Sequence, residues 1–317
     1  MNEVVTVGEA LLRLGVRSGE RLETATSFDV HVAGAEANVA VALAGLGREV
    51  GWFSILSDNS LGRRVAQTLT SLGVDVSEVR WVEGERLGTY YVEHSVPPRP
   101  VRVVYDRTDS AFSRLTAADL PWDSIMSARV VQVSGITPAL SAGCRAAVVE
   151  LADRVRRSEA MWVVDVNHRA RLWAAAEARA CLEEVASGAG LVVCSREDAR
   201  DVFHVAGPAD AAAEELAERL DAARVVVTDG EAGAYWRMGR AFGHVPSVPA
   251  TIVDRMGAGD ALTAGVIDGV LDGDLERGVR QGVVMAALAL GMRGDHLRTS
   301  REEVDELMRG PERGVDR

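Results

Sequence analysis

The sequence contains no lysine: all 35 of its basic residues are arginine. This absence removes several chemistries at once. Schiff-base aldolases and pyridoxal-phosphate enzymes need a lysine amine. Walker A nucleotide sites and protein kinases place a lysine on the phosphates. Any cation used here must be a guanidinium, a metal or a helix N-terminus. Cysteine is also scarce. Cys144, Cys181 and Cys194 are far apart and form no CxxC pair, so neither a structural zinc nor a disulfide framework is indicated. Long apolar runs are missing: the longest, residues 282–292, falls short of the ~20 residues that span a bilayer. The opening residues include Glu3 and read as a short strand, not a signal peptide. The expectation is a soluble, cytoplasmic protein with no membrane partner. Positive charge is in deficit as well, with 47 acidic side chains and a net charge of −12. Nucleic-acid partners are therefore not expected, because phosphate backbones are gripped by basic surfaces. A small anionic ligand needs only a local site.

Within these limits, the 317 residues have an ordinary globular composition, 47% hydrophobic and 26% charged. Strand-like apolar runs recur at 4–7, 50–56, 130–133, 162–166, 191–194 and 225–228. Helical patterns lie between most of them, at 36–46, 61–72, 142–157, 174–186 and 209–222. After residue 257 the pattern is helical almost to the end, through 261–271, 275–290 and 300–308. β-Branched runs alternating with helices predict an α/β fold, with a mostly parallel sheet covered on both faces. Residues 12–32 and 84–113 break that rhythm, with Pro97, Pro98 and Pro100 marking a turn in the second stretch. They form either a small β-sheet lid or surface excursions. A single domain is expected over 1–310, with 311–317 as a loose tail.

The strongest local signal is Gly257-Ala258-Gly259-Asp260, read as following a strand-like segment at 250–254 and preceding a small-residue helix. Two glycines let the backbone approach a ligand, and the helix N-terminus adds partial positive charge. This is an anion hole built without lysine. Asp260 at its mouth suits a base that takes a proton from an attacking hydroxyl. A glycine-rich turn with an aspartate cap has the same local pattern.

A second motif decides between these readings. Ala33-Gly34-Ala35-Glu36-Ala37-Asn38 runs into the small-residue helix that ends at Leu46-Gly47. With Asp254-Arg255-Met256-Gly257-Ala258-Gly259-Asp260, it resembles the paired signatures of the ribokinase-like (PfkB) carbohydrate kinases. The resemblance implies a three-layer α/β/α core with a small β-sheet lid. Gly8-Glu9, Gly62-Arg63 and the 165–169 segment fall in register with it. Further fragments are similar to 2-keto-3-deoxygluconate kinases: Gly88-Thr89-Tyr90, Tyr105-Asp106-Arg107, Asp165-Val166-Asn167-His168-Arg169 and Arg293-Gly294-Asp295. There are departures. Arg255-Met256 replaces a threonine-containing pair, Ser195-Arg196-Glu197-Asp198 replaces an Asn-x-x-Glu motif, and Ala33 replaces a glycine. Arg13 stands where ribose and fructose kinases usually carry an aspartate that binds sugar hydroxyls.

The resemblance implies an ATP- and Mg²⁺-dependent kinase acting on the primary hydroxyl of 2-keto-3-deoxygluconate. Asp260 is then the base, and the amides of Gly257, Ala258, Gly259 and Asp260 form the anion hole. Arg107 and Arg169 are expected at the substrate carboxylate, which a guanidinium fork binds bidentately. Gly34, Asn38, Tyr90, Tyr105 and Asp295 complete the sugar site, although Tyr90 and Tyr105 also suit cross-strand packing and Asp295 a simple turn. Glu36 is expected to complement its helix N-terminus. Asn167, Ser195, Thr228, Gly230 and Gly233, with Ala258 and Gly259, are expected at ATP, and Asp198 at a magnesium-bound water. A monovalent cation such as K⁺ near Asp254 and a homodimer or higher homo-oligomer are further expectations from resemblance. Two alternatives stay open: a kinase of a neutral sugar (fructose, ribose) or nucleoside, and a sugar-acid-binding regulator without catalysis.

Overall fold

Valine-rich segments buried on both faces build the centre of the molecule. In the computed structural model, which describes residues 2–94 and 98–310, they form an eight-stranded sheet. Its order is Ala241–Val245, Ala234–Met238, Arg224–Thr228, Leu191–Ser195, Met161–Asp165, Val130–Ser134, Val4–Val7 and Val50–Phe53. The last six pair in parallel, and the first two add an antiparallel edge. Val4–Val7 and Val130–Ser134 are buried throughout, as a parallel sheet under two helical layers requires. One layer packs the helices Ala142–Arg156, Ala175–Ala186 and Ala209–Arg219 on one face. The other packs Ala35–Gly45, Ser60–Ser71, Ala258–Leu271 and Leu275–Leu290 on the opposite face. The last two approach closely: a Cβ on Gly265 would lie 2.5 Å from the Cα of Gly282.

Residues 12–32 and 84–113 supply a separate four-stranded sheet, ordered Asp29–Ala33, Leu11–Gly15, Thr89–Glu93, Arg102–Asp106. Pro97 and the 311–317 tail lie outside the described residues.

Three expectations change. The run at 50–56 divides into Val50–Phe53 in the main sheet and Ile55–Ser57 in a two-stranded sheet with Arg80–Val82. Residues 250–254 form no strand; Thr251, Ile252 and Val253 are exposed, and the Val253 and Asp254 amides donate to Leu290 O. The following helix starts at Ala258, so Asp260 lies inside its first turn. Among the described residues no helix is long and apolar enough to cross a membrane.

Candidate active site

Gly257 caps the helix Ala258–Leu271 with a left-handed backbone, φ 80°. A Cβ there would lie 2.1 Å from the carbonyl oxygen of Asp295, so conformation and packing both demand glycine. No side chain caps this helix, which leaves its first amides directed outward with their partial positive charge. Gly259 is different. Its φ is ordinary, and a Cβ there would meet nothing within 4 Å. Packing does not require this glycine; its missing side chain keeps open a cavity that it lines.

Asp260 is buried at 7% exposure, and burial is the main cause that pushes its carboxyl up to about 7. Asn38 Nδ2 donates to its Oδ2 at 2.7 Å and opposes the rise, as does the charge of Arg169. Asn167, itself at φ 37°, donates to Asp165 Oδ2 at 3.1 Å and reaches Asp260 Oδ1 at 3.5 Å. Asp165 ends its strand beside Asp260, and burial followed by that neighbouring charge raises its carboxyl well above the usual range. Sequence reasoning gave Asp165 no role of its own. The signal was an acidic residue at the carboxyl end of an apolar parallel strand, where open α/β sheets bind ligands.

A cavity of about 720 Å³ opens in front of these groups. It gathers Asn167, Arg169, Ser195, Asp198, Thr228, Gly257, Gly259 and Asp260 on its walls, with Asp165 and Arg255. Ser195 Oγ accepts the Asp198 amide at 3.0 Å, and Asp198 Oδ2 accepts the His168 amide at 3.3 Å. Burial raises the Asp198 carboxyl. Gly230 and Gly233 lie in the turn beyond Thr228 and are not among the cavity walls; a Cβ on Gly233 would lie 2.1 Å from Val245 O. Arg169 and Arg255 are exposed and make no ion pair among the described residues. Arg255 was read only as a departure from the motif, yet it lines the same cavity.

No three carboxylate, imidazole or thiol groups among the described residues are arranged to hold a metal. The donor chemistry still suits a divalent cation. Asp165 and Asp198 share the cavity, and the charges of Asp260 and Asp198 both oppose ionisation of Asp165.

The remaining expected residues are not among the walls of this cavity. Gly34, at φ 159°, leaves room for Glu9 O, which a Cβ would meet at 2.4 Å, and its carbonyl accepts the Asn38 amide at 2.7 Å. Arg107 is buried and donates Nε to Glu9 Oε2 at 2.9 Å; its Nη2 and Ser110 Oγ also bond Glu9. Its fork is therefore already engaged with a carboxylate of the chain. Tyr90 and Tyr105 sit opposite each other in register, ring centroids 5.8 Å apart, so cross-strand packing is realised. Tyr90 OH also donates to Asp295 Oδ1 at 2.7 Å. Asp295 is no simple turn aspartate: it is buried and receives Arg13 Nη1 at 2.8 Å. Asn38 reaches Asp260, where a direct contact to sugar was expected. Glu36 points inward, accepting Ser134 N and Oγ and Thr137 Oγ1 at 2.7–2.8 Å, so its role goes beyond complementing its helix.

The three-layer α/β/α fold with a small second sheet sets the uncapped helix start at Gly257 and the buried Asp260 together, and the chain is a kinase that phosphorylates a hydroxyl group, as its relatives show. Residues 1–300 match the family model for pfkB family carbohydrate kinases. The chain is 38% identical to the 2-dehydro-3-deoxygalactonokinase of Haloferax volcanii, over 99% of both chains. It is 32% identical to the 2-dehydro-3-deoxygluconokinase of Thermoproteus tenax, covering 98% of this chain and 95% of that one. The crystal structure of the 2-dehydro-3-deoxygluconokinase of Thermotoga maritima superposes with a TM-score of 0.91 at 30% identity, over 98% of this chain and 100% of that one. The chain belongs to the pfkB family of carbohydrate kinases, and its fold is ribokinase-like.

Proposed function

We propose that this kinase transfers the γ-phosphoryl group of ATP to the primary hydroxyl of a 2-keto-3-deoxy sugar acid, with 2-keto-3-deoxygluconate as the first acceptor to test. The observation that carries the reading is the Gly257 turn, with Asp260 buried beside a cavity that holds two unpaired guanidinium groups. A neutral sugar gives Arg169 no carboxylate to bind, whereas a sugar acid does. The 38% identical relative is named for the galactonate-derived epimer, so that epimer belongs in the same test.

In this account Asp260 accepts the proton of the acceptor hydroxyl as its oxygen attacks the γ-phosphorus. The amides of Ala258, Gly259 and Asp260 face the transferring phosphoryl group and offset its charge, a task given elsewhere to lysine. Asn38 and Asn167 orient the Asp260 carboxylate. Arg169 binds the acceptor's carboxylate, Arg255 a phosphate of the nucleotide, and Thr228 and Ser195 border the nucleotide. Arg107 contributes through Glu9: the pair fixes the floor of the sugar side. Asp198 and Asp165 would hold Mg²⁺, which would neutralise phosphate charge there. A coupled ADP-release assay with 2-keto-3-deoxygluconate, its galactonate-derived epimer, fructose and ribose tests the acceptor. Turnover of the acids alone is expected; turnover of only the neutral sugars overturns the choice.

A further inference from the structure

We infer that Arg13 is a built-in cation of the phosphoryl-transfer turn, a positioning residue that holds Asp254 and Asp295 around Gly257 and makes the enzyme independent of added monovalent cations. This rests on reading Gly257–Asp260 as the transfer site. Arg13 lies at the centre of the strand Leu11–Gly15, in the small sheet, and is 2% exposed. Its Nη1 donates to Asp295 Oδ2 at 2.8 Å and its Nη2 to Asp254 Oδ2. Both carboxylates are buried, at 5% exposure each, and 282 and 241 residues distant in sequence.

Each of them touches the turn by a different route. Asp254 Oδ1 accepts the Met256 amide at 3.2 Å, and Asp254 Oδ2 accepts the Gly294 amide at 3.3 Å. Asp295 places its own carbonyl against Gly257, where no Cβ would fit. One guanidinium thus fixes the two groups that set the path of the chain into the anion hole. Arg13 does not line the cavity in front of Asp260, so it acts through its partners and not on substrate.

Removing it would leave two buried carboxylates facing each other, with the Tyr90 hydroxyl and the partly buried His94, 3.4 Å from Nη2, as neighbours. A buried charge stripped of its partner is strongly unfavourable. The Asp295 carboxyl already stands at about 6 because burial raises it, with Arg13 the largest opposing influence. Truncation to alanine creates a site with the size and charge for a guanidinium ion, and the two carboxylates accept a small monovalent cation in the same place. Glutamine fills the space without charge.

The test measures kcat and both KM values for wild type, Arg13→Ala and Arg13→Gln, with tetramethylammonium as the only monovalent cation. K⁺ or guanidinium is then added at ~10–50 mM, a range in which binding to the native state raises its population. Wild type should change less than about twofold, because its site is filled. Arg13→Ala should lose about 100-fold in kcat, with a smaller change in acceptor KM, and recover at least about tenfold with guanidinium. Arg13→Gln should stay unrescued. Thermal melts carry a second readout that needs no substrate: guanidinium should raise the Tm of Arg13→Ala and not that of wild type. If Arg13→Ala folds poorly alone, its refolding yield with and without guanidinium reports the same binding. Activation of wild type by K⁺ by more than about threefold overturns the proposal. So does an Arg13→Ala protein whose kcat, Tm and yield ignore guanidinium. No turnover of any sugar acid by wild type overturns the acceptor reading and leaves the melts to decide Arg13.

Discussion

Asn38 Nδ2 donates to Asp260 Oδ2 at 2.7 Å, joining the N-terminal turn of one helix to that of another 222 residues later. The bond has two consequences. It fixes the direction of the carboxylate, and it favours the ionised form against the burial that raises it to about 7.

A base must be ionised to accept a proton, so kcat/KM for the acceptor should rise with pH through about 7 and then level. Asn38→Ala removes a contact that stabilises the charged form and should move this limb to higher pH. The shift separates Asp260 from titration of the nucleotide phosphates, which the substitution does not touch. A pH–rate profile of the two proteins checks this; an unmoved limb would assign it to another group.

The two arginines expected at the substrate should separate. Arg169 is exposed and unpaired among the described residues, so Arg169→Ala should raise acceptor KM roughly 10–100-fold, the equivalent of about 1.5–3 kcal/mol for a charged hydrogen bond, with little change in Tm. Arg107→Ala strips the buried Glu9 of its partner and should cost about 3–5 kcal/mol of stability. Thermal or denaturant melts beside steady-state kinetics distinguish the two patterns.

The two glycines of the turn should also differ. Gly259→Ala adds a methyl that meets nothing in the protein, so Tm should hold within about 2 °C while ATP turnover falls at least about tenfold. Gly257→Ala forces a side chain into a left-handed residue and against Asp295 O, and should destabilise by more than about 1 kcal/mol. Melting curves beside a coupled ADP-release assay measure both effects.

The fold was legible where it is local. Valine runs announced the parallel strands because burial on both faces leaves no polar alternation, and Leu275–Leu290 was readable to its ends. Residues 250–254 misled because a β-branched run resembles a strand even where it lies exposed. In the site, the glycine turn was legible from its own residues. The partners were not: Asn38 was expected at the sugar with no sign that Asp260 receives its amide, and Arg107 showed no sign that Glu9, 98 residues earlier, holds its fork. Such pairings depend on how two sheets and two helices dock, which no window of sequence contains. Arg13 illustrates the same limit, because its partners come from the far end of the chain.

The central claim is that Asp260 is the base of a sugar-acid kinase, and Asp260→Asn tests it most directly. Assayed at pH 8 with 2-keto-3-deoxygluconate and its galactonate-derived epimer, the variant should lose about 10²–10⁴-fold in kcat while calorimetry finds acceptor affinity nearly unchanged. Its Tm should exceed that of wild type at pH 8. A carboxyl raised above its unfolded value of about 3.9 keeps its full stabilising contribution only below that value and loses it as pH rises through about 7, so the gap should close toward pH 4. A variant with wild-type kcat would contradict the account.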